Sequence, residues 1–393
     1  MDLRAFRRAG HAPSLVAALL YFDISFMAWV LLGALGAYIG EELAPSASAK
    51  GLMVAVPLLS AAVFRVALGL LGDRYGPRRI GLISMGVVMS ALLAGWLGAN
   101  TYGAVLGVGV LLGVAGASFA IALPLASRHY PPRHQGLAMG IAGAGNSGTV
   151  LTTLAAPRLA EQVGWHAVFG LALIPVALVW VAFALLAKEP PAPERPVRLD
   201  DLRRVLAERD AWRLCGLYAV TFGSFVGLAS FLPILLHDQY AISKVDAATI
   251  VAAGAALGSL LRPLGGYLAD RLGGTTVLTG VFGTGAALLL FASALPALGA
   301  AAVAFTLVMG TFGIGNGAVF QLVGLRYRDR IGTLTGIVGA AGGLGGFFLP
   351  TLLGGARDAF SSYGPGLGVL AVVAAAALVG VLGPRAAFAE ARA

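Results

Sequence analysis

Three charged residues stand inside long apolar segments of this sequence: Asp23, Arg65 and Arg262. A charge at the centre of a membrane-spanning helix costs roughly 2.5–3.5 kcal/mol on insertion scales, so such residues normally face the protein interior or a water-filled cavity. Each arginine stands eight residues before an Asp-Arg pair that ends its apolar segment. Helical rise puts both arginines about 12 Å from that end, so we expect them at equal depth.

The two arginines have the chemistry of an anion site. A guanidinium group is always charged and presents a planar fork of donors, which matches a flat, delocalised oxyanion. We therefore predict that Arg65 and Arg262 bind a small anion between them. The alternative is a structural role, in which each arginine donates to backbone carbonyls or extends toward the membrane interface. We favour the anion site, because charges inside membrane segments are usually functional.

Asp23 is the one acidic residue in the middle of an apolar segment. Burial would favour its protonated form, and a nearby arginine would favour its charged form. Two interpretations stay open at this point. Asp23 either carries protons, or it is a fixed counter-ion or hydrogen-bonded structural carboxylate.

The composition indicates a membrane protein. Hydrophobic residues make up 58% and charged residues 11% of the 393 residues, whereas soluble domains carry about 25% charged residues. The formal net charge of +9 does not indicate nucleic-acid binding, because the basic residues lie in the loops between apolar segments. The single cysteine, Cys215, excludes an intramolecular disulfide.

Twelve segments are long enough to cross a bilayer, since a spanning helix needs about 20 residues. We predict spans at approximately 14–40, 50–71, 78–98, 101–127, 134–160, 164–187, 211–237, 245–269, 274–295, 298–324, 330–356 and 363–387. With both termini in the cytoplasm, 21 of the 27 Lys and Arg residues fall in cytoplasmic segments. Four fall in external ones: Lys50, Arg158, Lys244 and Arg357. The positive-inside rule therefore favours this orientation.

The two halves of the sequence repeat each other at an offset of 196–197 residues. The segment 65–76 matches 262–273, with Arg, Asp-Arg and Gly at the same spacing, and Tyr21 matches Tyr218. An even number of spans in each half makes the repeats parallel, which places the expected binding site near the membrane midplane between them.

The repeat predicts the fold class and the domain boundaries. We expect an all-α membrane protein whose twelve transmembrane helices form two pseudo-symmetric six-helix bundles. The N-terminal bundle covers 1–187 and the C-terminal bundle covers 211–393. The Pro-rich, polar stretch 188–210 is the predicted cytoplasmic linker between them.

Glycine-rich runs occur in the fifth and eleventh predicted spans, and they contain four candidate lining residues: Gly143, Gly145, Gly339 and Gly342. Small residues at helical spacing leave a smooth face, which other backbones can approach closely. Such faces would line a narrow site, and Asn146 would donate to the anion. Helix packing alone, with Asn146 in an interhelical hydrogen bond, is the alternative.

The loops after the second and eighth spans contain paired charges: Asp73-Arg74 and Asp270-Arg271. We predict that these pairs form a conformational latch on the cytoplasmic face, which is made in one access state and broken in the other. A solvated turn is the alternative. From the residues alone, Phe119, Tyr218 and Phe222 are more typical of a helical core than of a binding site.

These residues carry a family resemblance. The loop motif at 69–79, its fainter repeat at 266–273 and the six-plus-six layout resemble the major facilitator superfamily. The runs 143–148 and 336–350 resemble the paired nitrate signatures of its nitrate/nitrite porter family, and the runs 113–120 and 218–225 also resemble that family. The short chain is similar to the assimilatory nitrate transporters of bacteria.

The resemblance implies roles for the residues of the site. Nitrate or nitrite would bind between Arg65 and Arg262, and Phe119 and Phe222 would sandwich the planar anion. Asn146 and Tyr218 match further positions that contact substrate. Asp23 departs from the exchanger branch of the family, which lacks a protonatable group in the central cavity, and it fits proton-coupled import better.

We therefore expect a secondary active transporter for nitrate, with nitrite as a further substrate, in the bacterial inner membrane. Proton-coupled import is the first hypothesis and nitrate/nitrite exchange is the rival. A non-transporting sensor or scaffold ranks below both, because the sequence shows no signalling domain. We expect no enzyme activity, since the spans contain no nucleophile–base set or metal cluster, and no cofactor. The expected partners are nitrate or nitrite, protons and the lipid bilayer; the oligomeric state stays open, with a monomer among the alternatives.

Overall fold

The computed structural model describes residues 9–44, 46–191, 199–326 and 331–383, and this part of the chain is helical throughout its regular structure. Within it, eleven helices are long and apolar enough to cross a membrane: Ala12–Trp29, Ala47–Tyr75, Pro77–Gly98, Tyr102–Ser127, Trp165–Leu186, Arg209–Tyr240, Lys244–Leu272, Gly274–Ser293, Leu298–Arg326, Leu334–Phe360 and Gly364–Leu382. The segment 132–163, which is not among these eleven, is counted as the fifth span. With it included, the spans are numbered in chain order, so that Trp165–Leu186 is the sixth.

Two spans are continued or divided by short helices. The first span extends beyond Trp29 through Leu31–Ala34 and Gly36–Leu43. The fourth consists of Tyr102–Gly116 and Phe119–Ser127, which meet at two turn residues. These irregular points lie beside the site described below.

The fifth span is broken, which the sequence pattern did not predict. It consists of Pro132–Gly143, a 3-10 turn at Ala144–Ser147, and Gly148–Val163. Glycine is a poor helix former, by about 1 kcal/mol relative to alanine, and Asn and Ser side chains compete for backbone hydrogen bonds. This span approaches the first one closely at Gly148, where a Cβ would stand 1.9 Å from the Asp23 carbonyl oxygen.

The two halves repeat the same turn between consecutive spans. Gly76 follows the second span with φ 92° and ψ 138°, and Gly273 follows the eighth with φ 89° and ψ 134°. Residues other than glycine rarely adopt a positive φ of this size. The glycine of each loop motif is therefore required by backbone geometry.

The halves pack closely at the end predicted to be external. A Cβ at Gly51 of the second span would stand 2.4 Å from the Pro350 carbonyl oxygen of the eleventh, and a Cβ at Gly354 would stand 2.4 Å from the Ala47 carbonyl oxygen. At the end predicted to be cytoplasmic, a Cβ at Gly140 or Gly336 would meet nothing within 4 Å. The described helices thus converge at the predicted outer end.

The polar stretch between the halves contains one short helix, Leu199–Leu206, within the part of it that the structure describes. Val205 of this helix is buried, and the indole N–H of Trp212 donates to the Leu206 carbonyl oxygen at 2.7 Å. The seventh span begins at Arg209, two residues before the predicted start. Residues 192–198 of the predicted linker lie outside the described residues, and so do the ends of the two predicted bundles at 1–8 and 384–393.

Candidate anion-binding site

A small pocket lies between the halves and brings together residues of seven spans. The empty space between its lining atoms is about 220 Å³, which includes space open to solvent. Both predicted arginines are among the residues that line it, which are Phe22, Phe26, Arg65, Phe119, Asn146, Tyr218, Phe222, Arg262 and Gly339. The pocket is therefore narrow and has two cationic side chains in its wall.

Arg65 is fixed in place by backbone carbonyls of both halves. Its side chain is buried, with 3% of the residue exposed. Nε donates to the Gly116 carbonyl oxygen at 3.1 Å, and Nη1 donates to the Gly339 carbonyl oxygen. Its Cζ lies 5.5 Å from the ring centroid of Trp29 and 5.3 Å from that of Phe222. Since a guanidinium group has five N–H donors, this arrangement holds the group rigidly and leaves donors for a ligand.

Arg262 has a looser environment. The residue is half-buried, and its Nη2 donates to the Tyr218 hydroxyl oxygen at 3.4 Å, which is long for a hydrogen bond. Its Cζ lies 5.6 Å from the ring centroid of Phe320. Within the described part of the chain its guanidinium group donates no other hydrogen bond, so most of its donors are available to a ligand.

The electrostatics of the pocket favour an anion. Its lining residues include the two arginines and no carboxylate, and neither arginine takes part in the ion pairs shown among the described residues. Uncompensated positive charges in a cleft with low-dielectric walls concentrate negative ions there. The arrangement can bind a small oxyanion through several charge-assisted hydrogen bonds.

Aromatic rings surround the arginines. Tyr218 and Phe222 stack with ring centroids 5.0 Å apart and an interplanar angle of 7°. Trp29 is buried and lies nearly parallel to Phe222, with ring centroids 6.5 Å apart. Phe119 is 5.9 Å from Phe320, so rings of both halves meet at the pocket. Aromatic rings therefore form much of the pocket wall.

The predicted glycines have different environments. The Gly339 carbonyl accepts from Arg65, as described above. A Cβ at Gly342 would stand 2.6 Å from the Tyr218 ring, so this glycine makes room for the aromatic stack. Gly145 packs on Phe22 and Asp23, while Gly143 has nothing within 4 Å of a Cβ position. Of the four, Gly339 alone is among the residues that line the pocket.

Asn146 lies within the break of the fifth span, and Asp23 of the first span contacts that break. Asn146 lines the pocket, is 4% exposed, and its Oδ1 has no hydrogen-bond partner among the described residues. Asp23 is half-buried and is not among the pocket-lining residues. Its carboxylate accepts from the Ser147 hydroxyl at 2.6 Å and from the Gly148 backbone N–H. Asp23 therefore holds the start of Gly148–Val163 and does not neutralise the arginines.

The charged loop motifs do not form one cluster. Asp73 pairs with Arg128 at the end of the fourth span, a partner that the sequence pattern did not predict. Arg74 lies over the Tyr75 ring at 5.2 Å, and Arg271 lies over the Tyr267 ring at 4.5 Å. Asp270 is exposed in the other half. A latch role of these residues stays a prediction.

Sequence reasoning missed five residues that form or support the pocket: Phe22, Phe26, Trp29, Gly116 and Phe320. The first three stand at positions i, i+4 and i+7 of the first span, which is the spacing of one helix face. That spacing, on the same span as Asp23, was a usable signal. The role of the Gly116 carbonyl as an acceptor for Arg65 had no sequence signal, because it depends on contact between distant spans.

Comparisons with known proteins show the family to which the chain belongs. The model of the Major Facilitator Superfamily matches residues 17–350. The chain is 33% identical over 361 residues to the nitrite extrusion protein of Bacillus subtilis (strain 168), covering 91% of this chain and 90% of that protein. It is 36% identical over 362 residues to the probable nitrate/nitrite transporter NarK2 of Mycobacterium tuberculosis (strain ATCC 25618 / H37Rv), covering 89% and 90%. It is 32% identical over 373 residues to the probable nitrate/nitrite antiporter NarK1 of Thermus thermophilus, covering 85% and 82%.

Solved structures show the same fold. A bacterial homologue of the human lysosomal transporter Spinster superposes with a TM-score of 0.68 at 21% identity, with 96% of each chain covered. A D-xylose-proton symporter superposes with a TM-score of 0.72 at 16% identity, covering 94% of this chain and 95% of that one. The predicted all-α membrane fold is thus confirmed, and its class is that of the two-bundle membrane transporters. The chain belongs to the major facilitator superfamily, in its nitrate/nitrite transporter family, and it is not an enzyme.

Proposed function

We propose that this chain transports nitrate, and also nitrite, by binding the anion between Arg65 and Arg262. The observation that carries the proposal is the pocket between the halves, which both arginines line and no carboxylate neutralises. The names of the relatives support nitrate and nitrite as the substrates.

The chemistry of the lining suits a flat anion. The guanidinium donors offer in-plane hydrogen bonds to the oxygens, and Phe119 and Phe222 offer ring faces above and below the plane of the anion. Asn146 adds an amide, and Tyr218 adds a hydroxyl that already contacts Arg262. The carbonyl of Gly339 and the glycine at 342 set the width of this space.

Transport would proceed by alternating access of the bundles 1–187 and 211–393 to the two sides of the bacterial inner membrane, with both termini in the cytoplasm. The close packing of Gly51 against Pro350 supports closure at the outer end. Asp73-Arg74 and Asp270-Arg271 are the proposed latch at the cytoplasmic end. The pairing of Asp73 with Arg128 supports a role for that latch in holding one bundle together.

We propose that protons drive nitrate import, with Asp23 as the proton-coupling residue. A lone anion entering an interior that is negative by 100 mV costs about 2.3 kcal/mol per charge, and two co-transported protons would reverse the sign. Asp23 contacts the broken fifth span through Ser147 and Gly148. A change in its charge would thus act on the span that also carries Asn146.

Nitrate/nitrite exchange is the second candidate. Two observations favour it: the pocket lining itself contains no acidic residue, and one relative is described as a probable nitrate/nitrite antiporter. An exchanger needs no proton site, because one anion replaces the other on the same arginines.

Uptake of labelled nitrate into proteoliposomes separates the two candidates. Under an imposed inward proton gradient and with no internal nitrite, symport predicts accumulation above the outside concentration. Exchange predicts uptake that ignores the gradient and requires nitrite inside. Absence of nitrate binding and of both kinds of uptake, in protein that is folded, would sink the substrate assignment.

A further inference from the structure

A cluster of charged side chains joins the halves at the predicted outer end. It is called here the bridging cluster, and it consists of Glu41, Lys50, His237, Asp238 and Lys244. Lys50 Nζ lies 3.1 Å from Asp238 Oδ2. Glu41 pairs with both His237 and Lys244 across the two halves. Beside it, backbone N–H groups of Ala47 and Ser48 donate to the Asp358 carboxylate at 3.0 and 2.8 Å.

The imidazole of His237 stands between two acceptors. Its Nδ1 lies 2.7 Å from the Ile242 carbonyl oxygen, and its Nε2 lies 2.9 Å from Glu41 Oε1. A carbonyl oxygen and a carboxylate oxygen accept hydrogen bonds and do not donate them. A neutral imidazole has one N–H and can satisfy one of these contacts, whereas imidazolium has two. Both contacts can therefore be hydrogen bonds at the same time when the ring is protonated and Glu41 is charged.

We propose that His237 is a proton-binding site which stabilises the closed outer end of the transporter. In the closed state Glu41 of the first span contacts His237 of the seventh, so opening must separate the two. Once separated, the ring loses a charged partner and binds its proton less tightly. By linkage, proton uptake at His237 favours closure and deprotonation favours opening. The proposal rests on the alternating access proposed above, and the proton remains at the outer end rather than travelling with the substrate.

Other charges face this site and determine the pH range of closure. Lys244 binds the same Glu41 carboxylate and lies 4.4 Å from the centroid of the Tyr38 ring. Asp238, the next residue after His237, is engaged by Lys50 and by the Tyr363 hydroxyl. Histidine is the residue type whose charge ordinarily changes between about pH 5 and pH 8, and His237 is the histidine of the bridging cluster.

Glu41 determines the lower limit of that range. Its carboxylate accepts hydrogen bonds from Lys244 and is within hydrogen-bonding distance of His237, and both contacts favour its charged form. The stability that a charged carboxylate contributes is lost when the pH falls far enough to protonate it. Closure therefore needs a charged Glu41 and a protonated His237, which coexist in mildly acidic solution.

Distance measurements between spin labels test the proposal. Gly103 and Gly299 are exposed at the predicted outer ends of the fourth and tenth spans, and a Cβ at either would meet nothing within 4 Å. Labels at Gly103→Cys and Gly299→Cys, in a Cys215→Ser background, report opening between the halves in full-length protein in lipid nanodiscs. At about pH 5.5 we expect mainly the short distance, and at about pH 8, where histidine is neutral, a several-fold larger share of the long distance.

Variants assign the effect to the site. His237→Gln and Glu41→Gln should each remove most of the pH dependence, whereas His166→Gln should leave it intact. His166 is a matched control, because it lies at the same end within one half and stacks on Trp165 at 3.5 Å. A pH response that persists in both folded cluster variants, or its absence in the parent protein, would overturn the proposal. The labels respond without nitrate, so a failure of nitrate uptake would count against the proposed function alone.

Discussion

Arg65 and Arg262 occupy the same position in the two sequence repeats, yet their surroundings differ. Arg65 is buried and donates to carbonyls of Gly116 and Gly339, one in each half. Arg262 is half-buried and has a long contact with the Tyr218 hydroxyl. The comparison suggests that one arginine is a preorganised anchor and the other is an adaptable partner that adjusts to the anion.

The difference follows from the neighbours and not from the arginines themselves. The Cζ of Arg65 lies over the rings of Trp29 and Phe222. The indole N–H of Trp29 in turn donates to the Pro57 carbonyl oxygen at 2.9 Å. Among the described residues, Arg262 has the one ring of Phe320 within comparable distance. Preorganised donors lose little freedom on binding and so contribute more affinity. We therefore expect the two positions to respond unequally to the same substitution.

Arg65→Lys should have the largest effect. Lysine keeps the charge but cannot reproduce a planar fork that holds two carbonyls and a ligand. Breaking a buried, hydrogen-bonded charge contact costs about 2–5 kcal/mol, so we expect nitrate affinity to fall by about 100-fold or more. Calorimetric titration of detergent-solubilised protein measures the change, with thermal unfolding as the test of folding. Unchanged affinity would mean that charge alone is sufficient at this position.

Arg262→Lys should weaken binding less, by about tenfold, which corresponds to about 1.4 kcal/mol. The half-buried site lets a lysine ammonium group reach the anion with water completing its hydration. Arg271→Lys is the matched control, because Arg271 lies on the same span, is exposed and contacts only the Tyr267 ring among the described interactions. An effect equal to that of Arg65→Lys would contradict the asymmetry.

The asymmetry marks a limit of sequence reasoning. The repeat offset predicted that Arg65 and Arg262 would be brought together, and the structure places both in one pocket. It could not predict their burial, because Gly116 and Gly339 are 51 and 274 residues away from Arg65 in the chain. Periodicity reports which helix face is apolar, whereas a carbonyl contact depends on how three separate helices pack.

The spans show the same division between local and non-local information. The lengths and apolar composition of the segments predicted most of the spans. The positive φ at Gly76 and Gly273 is a conformation that glycine adopts readily, and the loop motif has a glycine at both positions. The break at Ala144–Ser147 was missed, because the run of small residues around it is equally consistent with a continuous smooth helix. The close approach of Gly148 to Asp23 requires it, and that contact joins two spans.

Tyr218→Phe tests the environment of Arg262, the adaptable arginine of the pair. The substitution removes the hydroxyl beside Arg262 but keeps the ring that stacks on Phe222. A neutral hydrogen bond contributes about 0.5–1.5 kcal/mol, so we expect about a three- to tenfold loss of nitrate affinity. In double-mutant cycles the coupling of Tyr218→Phe with Arg262→Lys should exceed its coupling with Arg65→Lys. Equal coupling would show that the hydroxyl serves both arginines alike.

Asp23→Asn should have the smallest effect on affinity, below about twofold, because Asp23 lies outside the pocket lining. This substitution also compares the two halves of the chain, because the repeat places Val220 at the position of the C-terminal half that matches Asp23. Asparagine can still accept hydrogen bonds from Ser147 and Gly148, so the packing of the fifth span is retained, but it cannot bind a proton. Gradient-driven accumulation of nitrate in proteoliposomes should therefore be lost while nitrate/nitrite exchange persists. Ser147→Ala is the control, because it removes one hydrogen bond and keeps the carboxylate, and it should still accumulate nitrate. If Asp23→Asn accumulates nitrate as the parent does, the acid is structural and the functional asymmetry is confined to the two arginines.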